Sequence, residues 1–195
     1  MVKVADIATL RNGYAFRGRI ESDPSGDTRV MQAGDLVKNS QLDLGTLACV
    51  QLGKKAERYH LTEHDIVFMA RGQRQLAYRP ISEAVTGTPV ITTFGLLVIT
   101  PDRNKTTADY LHWALNTPQV QQSIRVFAEG TSMSFISEKN FGNVQVPIPT
   151  LETQENITRL IDLHGQRDQL REHLAKLDQK LVQTTAWSLA TEQPT

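Results

Sequence analysis

The sequence lacks several features that would point directly to a function, and each absence narrows the choice. A single cysteine, Cys49, cannot build an internal disulfide framework, and this suits a reducing compartment. The 21 basic side chains are balanced by 21 acidic ones, so no net charge draws the chain to nucleic acid or to a membrane surface. No apolar run reaches the ~18 residues that span a bilayer, and no signal-peptide core is visible at the N-terminus. We therefore expect a cytoplasmic protein without a membrane role.

The most regular pattern lies near the C-terminus, from Pro147 to about Thr184. Prolines end the preceding strand-like run, and Thr150 can accept hydrogen bonds from the free amides of a helix start. Leucines then recur at alternating spacings of three and four, which is typical of a coiled coil. They are Leu160, Leu163, Leu170, Leu174, Leu177 and Leu181.

A helix over residues 151–188 would run roughly 50 Å at ~1.5 Å per residue, longer than a domain of this size covers. We predict a spacer and dimerisation helix that packs along a partner helix, followed by a frayed tail at 189–195. The alternative is an ordinary amphipathic helix that lies on its own domain.

Residues 1–150 read as one α+β domain, with a twisted sheet and flanking helices. The first residues, including Val4, Ile7, Ala8 and Leu10, suggest a short helical turn. Strands are predicted at 28–36, at 44–52, at 66–69 and on both sides of Gly95. Residues 107–129 read as helical, and a short helix capped by Ser137 precedes a last strand before Pro147.

A basic polar loop follows the buried strand at 66–69. Arginine pairs with guanine and glutamine with adenine, so the loop has the residue mix that base readout in a DNA groove requires. The candidate residues are Arg71, Gln73, Arg74, Gln75, Tyr78 and Arg79. The alternative is a solvated loop that binds nothing.

Two other segments offer contacts for a phosphate backbone. A glycine-led loop carries Thr131, Ser132 and Ser134, short donors suited to phosphate oxygens, which position DNA without specifying its sequence. Near the N-terminus, Arg17 and Arg19 alternate with Tyr14 and Phe16. We expect the two aromatics to belong to the core, and the arginines to contact phosphate or remain solvated.

One catalytic pattern is present, since His60, Glu63 and His64 match H-x-x-E-H. Zinc hydrolysis would need both histidines on one face of a regular helix, and a third ligand beyond it. The pattern stands directly before a strand, which leaves too little helix. No other nucleophile or metal arrangement is suggested by spacing, so we predict neither catalytic residues nor a metal site.

The order of several short motifs resembles the DNA specificity subunits of type I restriction–modification systems. The matching stretches are Ala33–Leu36, Leu61–Val67 with His64 where the family usually has glycine, Asp109–Leu115, Gly130–Ser132, and Val146–Leu151 followed by Gln154 and Ile157. The family commonly shows a proline-like residue at Thr150 and Glu-Gln at Thr153-Gln154, and both departures are conservative. The resemblance covers essentially the whole chain.

The resemblance implies a target-recognition domain that reads part of a bipartite site in double-stranded DNA, followed by a spacer helix. It also implies docking to a methyltransferase subunit, which would use S-adenosylmethionine, and to a restriction subunit in full complexes. This chain carries no cofactor of its own and is expected to be non-catalytic. The family's usual subunit holds two recognition domains, so this chain resembles a half-subunit that either forms a homodimer or is a minimal member.

Two other functions fit the same sequence features. A protein–protein adaptor could use the same helix with no role in DNA binding, and a zinc hydrolase could use the histidine pattern. Salt-dependent retention on heparin separates the adaptor from a DNA-binding subunit, because phosphate contacts weaken steeply with salt. No motif shows which DNA sequence is recognised. No motif shows either whether the chain pairs with a second specificity chain or whether a restriction subunit is present.

Overall fold

A computed structural model describes residues 1–38, 44–72, 75–79, 87–128 and 134–191. The chain divides into two compact units, Met1–Gln154 and Glu155–Thr195. The predicted α+β class is confirmed: within the described residues, the first unit contains sheets and short helices and the second is helical.

A central sheet in the order β2-β8-β5-β6 organises the first unit. Its strands are β2 (Ala8–Asn12), β5 (Ile66–Met69), β6 (Ala77–Tyr78) and β8 (Leu96–Pro101), and all neighbours are antiparallel. The side chains of β5 alternate between two apolar cores, with Ile66 and Phe68 in one and Val67 and Met69 in the other. Burial on both faces explains why the predicted strand at 66–69 is entirely apolar.

Helices cover one face of this sheet. They are α2 (Ala108–Asn116), α3 (Pro118–Phe127) and α4 (Glu138–Gly142), and a small pair of β1 (Val2–Lys3) with β9 (Gln145–Val146) lies beside them. Ser137 caps α4 as predicted, because its hydroxyl accepts a hydrogen bond from the amide of Asn140 at 3.2 Å. The predicted helical turn at the N-terminus is limited to a 3₁₀ turn, Val4–Asp6, and Ala8 and Leu10 belong to β2.

A second sheet packs on the other face, in the order β4-β3-β7. It consists of β3 (Thr28–Met31), β4 (Ala48–Val50) and β7 (Val90–Thr92). The strand predicted at 28–36 is too long, because β3 ends at Met31 and α1 (Ala33–Lys38) begins two residues later. Asp35 accepts a hydrogen bond from the amide of Gln32 at 2.8 Å, a local contact that favours a helix start over a continued strand.

Two 3₁₀ helices flank β4 in sequence, at Leu44–Thr46 and Gly53–Tyr59. The strand predicted at 44–52 is therefore too long, because the first of these helices occupies its start and only Ala48–Val50 pairs with β3. Ala56 of the second 3₁₀ helix is buried with Val30 and Ile91, on the face of the sheet that points away from the central one. The first unit is therefore layered as helices, central sheet, second sheet and 3₁₀ helix.

The long C-terminal helix, α5, runs from Leu151 to Thr191, past the predicted end at residue 188, and residues 192–195 lie outside the described residues. Thr150 caps it as predicted, accepting from the amide of Thr153 at 3.3 Å. Its first turn belongs to the first unit, where the buried amide of Gln154 donates to the carbonyls of Lys105 and Pro149, each at 2.9 Å. No helix in the described part of the chain combines the length and apolar character that crossing a bilayer demands.

Candidate DNA-binding surface

Several loops meet at one edge of the two larger sheets. The antiparallel register pairs Asn12 at the end of β2 with Leu97, and Met69 at the end of β5 with Leu96, the first residue of β8. The segments that gather there are 13–14, 70–72, 93–95 and 134–136, and we call them together the loop edge. Loops that protrude from a rigid sheet are where binding residues concentrate.

Backbone hydrogen bonds join the first and third of these segments. Tyr14 forms a parallel bridge with Thr93, and the amide of Phe94 donates to the carbonyl of Tyr14 at 2.9 Å. Gly13 fits only because it lacks a side chain, since a Cβ there would lie 2.3 Å from the carbonyl oxygen of Thr93. The two segments are therefore held as one rigid piece.

The second and fourth segments are joined in the same way. Arg71 forms an antiparallel bridge with Phe135. The amide of Gly72 donates to the carbonyl of Ser134 at 3.0 Å, and the amide of Ile136 donates to Ala70 at 3.0 Å. Arg71 and Ser134, which the sequence predicts as contact residues in two separate loops, are thus brought side by side from distant parts of the chain.

The Arg71 side chain is presented to solvent in a defined orientation. Its guanidinium carbon lies over the Phe135 ring, 4.9 Å from the centroid, which is a cation–π contact. Its N–H groups form no hydrogen bond or ion pair with any described residue. Arg71 is therefore available for the two-pronged contact that guanine or phosphate accepts.

The other described residues of the predicted loop are engaged within the domain. Gln75, expected to expose its amide, is buried, and its Nε2 donates to the carbonyl of Ala70 at 3.2 Å. Tyr78 is half-buried against the core between the sheets. Arg79 forms an ion pair with Asp109 of α2. These three side chains hold the hairpin of β5 and β6 in place, and Gln75 and Arg79 make contacts that the sequence analysis did not foresee.

Helix α2 completes this support through a histidine and an asparagine. Nε2 of His112 donates to the carbonyl of Ala77 at 3.2 Å, and the side chain of Asn116 bonds both the amide and the carbonyl of Ala77, at 2.9 Å and 2.8 Å. Burial lowers the pKa of His112, the charge of Arg79 lowers it further, and the bond to Ala77 opposes both. His112 is therefore a half-buried residue that supports the β5–β6 hairpin from α2.

A second group of cations lies around an aromatic cluster. The Tyr14 ring packs against Phe16 at 4.8 Å and Tyr59 at 5.2 Å between centroids, so both predicted core aromatics do pack, half-buried, against an apolar cluster. Arg17 and Arg19 are exposed on the segment that carries Phe16.

The 3₁₀ helix Gly53–Tyr59 adds cations that the sequence analysis missed. Lys54, Lys55 and Arg58 are exposed and, with Tyr14, Glu57 and Tyr59, line an open hollow of about 520 Å³. We call Arg17, Arg19, Lys54, Lys55 and Arg58 the basic surface. In the sequence, this group of cations is visible only as the two consecutive lysines at 54–55, which stand between two strands. The Tyr14–Tyr59 contact brings these lysines to the same surface as Arg17 and Arg19.

Four predicted contact residues, Gln73, Arg74, Thr131 and Ser132, lie outside the described residues. They stay predictions from sequence. Their neighbours Gly72 and Ser134 are joined directly by a hydrogen bond, so the two predicted loops start from the same point on the loop edge.

The histidine pattern does not form the helix that a zinc peptidase requires. His60 follows the end of the 3₁₀ helix Gly53–Tyr59, and His64 stands in a turn where it pairs with Glu63 at 3.2 Å. Among the described residues, no three His, Cys, Asp or Glu side chains are grouped so that they could hold a metal ion.

The predicted leucine series is exposed along α5. Exposed fractions range from 48% at Leu177 to 68% at Leu160. The polar residues between them form ion pairs along the helix, such as Lys176 with Glu172 at 2.7 Å. A helix with an exposed apolar seam and a charged outer face is typical of one strand of a coiled coil.

Comparison with known proteins agrees with this architecture. The family model described as "Type I restriction modification DNA specificity domain" matches residues 1–177, which is most of the chain. No curated protein sequence matches it.

Solved structures support the fold. An S subunit of a type I restriction–modification system from M. genitalium superposes with a TM-score of 0.57 at 14% identity, over 96% of this chain and 44% of that one. The HsdS subunit from Thermoanaerobacter tengcongensis gives 0.61 at 15% identity, over 85% of this chain and 37% of that one. A structure of a type I R-M system gives 0.52 at 16% identity, over 95% and 41%. The chain therefore spans less than half the length of each of these proteins.

Proposed function

The chain belongs to the type I restriction modification DNA specificity family, and on that premise we propose that it reads one half of a bipartite site in double-stranded DNA. The observation that carries the proposal is the loop edge, where Arg71 is exposed, lies over the Phe135 ring and forms no hydrogen bond or ion pair with the described part of the chain. The contact with Phe135 matters because it restricts the side chain, and bidentate pairing with guanine depends on how the guanidinium is placed.

We infer a division of labour between the two groups of cations. Arg71, with Ser134 beside it, contacts base edges and the nearest phosphates from the loop edge. The basic surface contacts the phosphate backbone next to it and fixes the register of the domain on the duplex, as phosphate contacts do. This local concentration of positive charge explains how a chain with no net charge can bind DNA.

We further propose that two copies pair through α5. Burying one leucine side chain is worth ~1.5–3 kcal/mol, so the exposed series is a large driving force for association. A closed dimer has two-fold symmetry, and its two recognition domains would read the same half-site in opposite orientations. The expected target is an inverted repeat of one half-site around a spacer of constant length.

The same subunit is proposed to dock a methyltransferase subunit, and a restriction subunit where one is present. The partner supplies S-adenosylmethionine and the chemistry, while this chain supplies the choice of sequence. The purified chain incubated with duplex DNA and the methyl donor should therefore leave the DNA unmethylated, and methylation by the chain alone would contradict this assignment.

The decisive experiment is an enrichment of random-sequence duplexes by the purified full chain, followed by sequencing. An inverted repeat with fixed spacing supports DNA recognition by a symmetric dimer. The triple variant Leu170→Asp, Leu174→Asp and Leu177→Asp should be monomeric in light scattering and enrich a single half-site. Its matched control adds the same charges at outer positions of α5, through Gln169→Asp, Gln179→Asp and Gln183→Asp, and should keep both the dimer and the repeat.

The outcomes separate the proposal from its alternative. An adaptor that pairs through α5 without binding DNA would remain a dimer and enrich no sequence. A wild-type chain that enriches one half-site but is monomeric at micromolar concentration would retain DNA recognition and refute self-pairing.

A further inference from the structure

The turn between β7 and β8 exposes an aromatic side chain at the centre of the loop edge. Phe94 is 53% exposed. All aromatic residues of the first unit lie within the described residues, and Phe94 is the one among them that is exposed. A single exposed apolar side chain is ordinary on a protein surface, so the role of Phe94 follows from its support and its neighbours rather than from its exposure.

The backbone around Phe94 is fixed from several directions. The turn closes through the amide of Leu96 to the carbonyl of Thr93 at 3.1 Å, and Gly95 supplies the φ of +98° that the turn needs. The amide of Phe94 bonds Tyr14 at 2.9 Å, and the carbonyl of Gly95 accepts from Ala70 at 3.1 Å. The ring is therefore presented by a rigid support, which lowers the entropy lost when it binds.

The neighbours of the turn are the groups already proposed to contact DNA. A Cβ added at Gly95 would meet Cδ of Arg71 at 3.7 Å, so the Arg71 stem runs beside the turn. On the other side, Tyr14 leads into the segment that carries Arg17 and Arg19. Phe94 lies between a base-reading arginine and the basic surface, where a bound duplex would cover it.

We propose that Phe94 contacts the 5-methyl group of a thymine in the recognised half-site, an inference that rests on the proposed function. The pairing of Arg71 with guanine belongs to the major groove, and Phe94 faces the same groove because the two side chains share one edge. The apolar feature that base pairs display in the major groove is the thymine methyl group. Phe94 would thus specify a T·A pair adjacent to the one that Arg71 reads.

The test uses the full chain and the half-site that the wild type enriches from random duplexes. Each thymine is replaced in turn by deoxyuridine, which lacks the methyl group and keeps every hydrogen-bonding atom. The wild type should lose about fourfold in affinity at one position, the amount expected for one buried methyl group. Phe94→Ala should bind the thymine duplex more weakly and no longer distinguish it from the deoxyuridine duplex.

Two controls keep the result specific. Val126, 79% exposed on α3, offers a second exposed apolar side chain, and Val126→Ala should leave affinity and discrimination unchanged. The melting temperature of Phe94→Ala should equal that of the wild type, because the removed ring is outside the core.

Two results would overturn the inference while the proposed function stands. They are a wild type that ignores every deoxyuridine and a Phe94→Ala variant that still discriminates. A variant that binds both duplexes more weakly by the same factor is the second case, and it indicates a wedge between base pairs. A wild type that enriches no sequence would refute the proposed function itself and this inference with it.

Discussion

Asp65 holds Arg11 across the central sheet, with Oδ2 of the carboxylate 2.8 Å from Nη2 of the guanidinium. Asp65 is fully buried and also accepts from the amide of Thr62 at 2.8 Å and from the hydroxyl of Thr100. One carboxylate thereby joins β2, β8 and the turn that leads into β5, and this gives the Leu61–Val67 motif a structural role.

Replacing that carboxylate should destabilise the first unit. Asp65→Asn removes the charge and turns one acceptor into a donor, which leaves the buried part of Arg11 without its partner. We expect a loss of about 3 kcal/mol in the free energy of unfolding, measured by urea denaturation. Asp6→Asn, at an exposed carboxylate in the same unit, should change it by less than about 0.5 kcal/mol. Equal effects of the two substitutions would contradict the role given to Asp65.

The lowered pKa of His112 makes stability depend on pH. Folded His112 resists protonation, because its pKa is lowered, whereas in the unfolded chain it takes up the proton near the ordinary histidine pKa of about 6.5. The contribution of neutral His112 to the free energy of unfolding is therefore fully present above that pH. It is lost as the pH falls through that value towards the lowered pKa of the folded state. His112→Gln keeps a donor for Ala77 without titrating.

The melting temperature should therefore fall less between pH 7.5 and pH 5.5 in His112→Gln than in the wild type. His173→Gln, at an exposed position of α5, should show the wild-type difference. An unchanged pH dependence in His112→Gln would show that other groups dominate this range.

A methyl group at Gly13 should disturb the loop edge. It would lie 2.3 Å from the carbonyl oxygen of Thr93 and 2.6 Å from that of Thr92, so the backbone must shift. We expect Gly13→Ala to cost ~1–3 kcal/mol and to weaken DNA binding. Gly34→Ala is the control, since nothing lies within 4 Å of an added Cβ there. A Gly13→Ala protein with wild-type stability and DNA affinity would show that the two segments are not rigidly joined.

The basic surface should be visible in the salt dependence of DNA binding. The logarithm of the binding constant falls as the logarithm of the salt concentration rises, and each lost phosphate contact makes this negative slope shallower by ~0.9. Lys54→Gln combined with Lys55→Gln should therefore make it shallower by ~2, on cognate and random duplexes alike. Arg103→Gln, at an exposed residue just beyond the far end of β8, should leave the slope intact. A double variant with the wild-type slope would remove these lysines from the interface.

Arg71 should instead affect sequence choice. Arg71→Lys keeps the charge and loses the planar fork of the guanidinium. We expect ~1–3 kcal/mol less discrimination at one base pair, with binding to random DNA nearly unchanged. Competition between the cognate duplex and single-base variants measures this. Retained discrimination in Arg71→Lys would place the readout elsewhere.

Local signals in the sequence predicted much of the fold correctly. The caps at Ser137 and Thr150, the break at Gly95, the buried strand at 66–69 and the long helix all follow from residues that are close together in the chain. The strand predicted through residue 36 was wrong, because the Gln32–Asp35 contact that starts α1 competes with it over the same few residues.

The candidate surface was harder to predict because it depends on distant neighbours. Gln75 and Arg79 look like free polar side chains in the sequence, yet one folds back onto Ala70 and the other finds Asp109 in a helix far along the chain. In the same way, nothing near Phe94 in sequence indicates that Arg71 lies beside it.

The double burial of the central sheet has a consequence for how this protein can diversify. Every side chain of β5 is committed to one of two cores, whereas Arg71, which follows two residues after the strand, is exposed. Substitutions of exposed side chains on the loop edge, such as Arg71, can therefore accumulate with little penalty in folding, unlike substitutions at Gly13 or at the buried Ile136. A lineage can change its target sequence while its architecture is inherited unaltered.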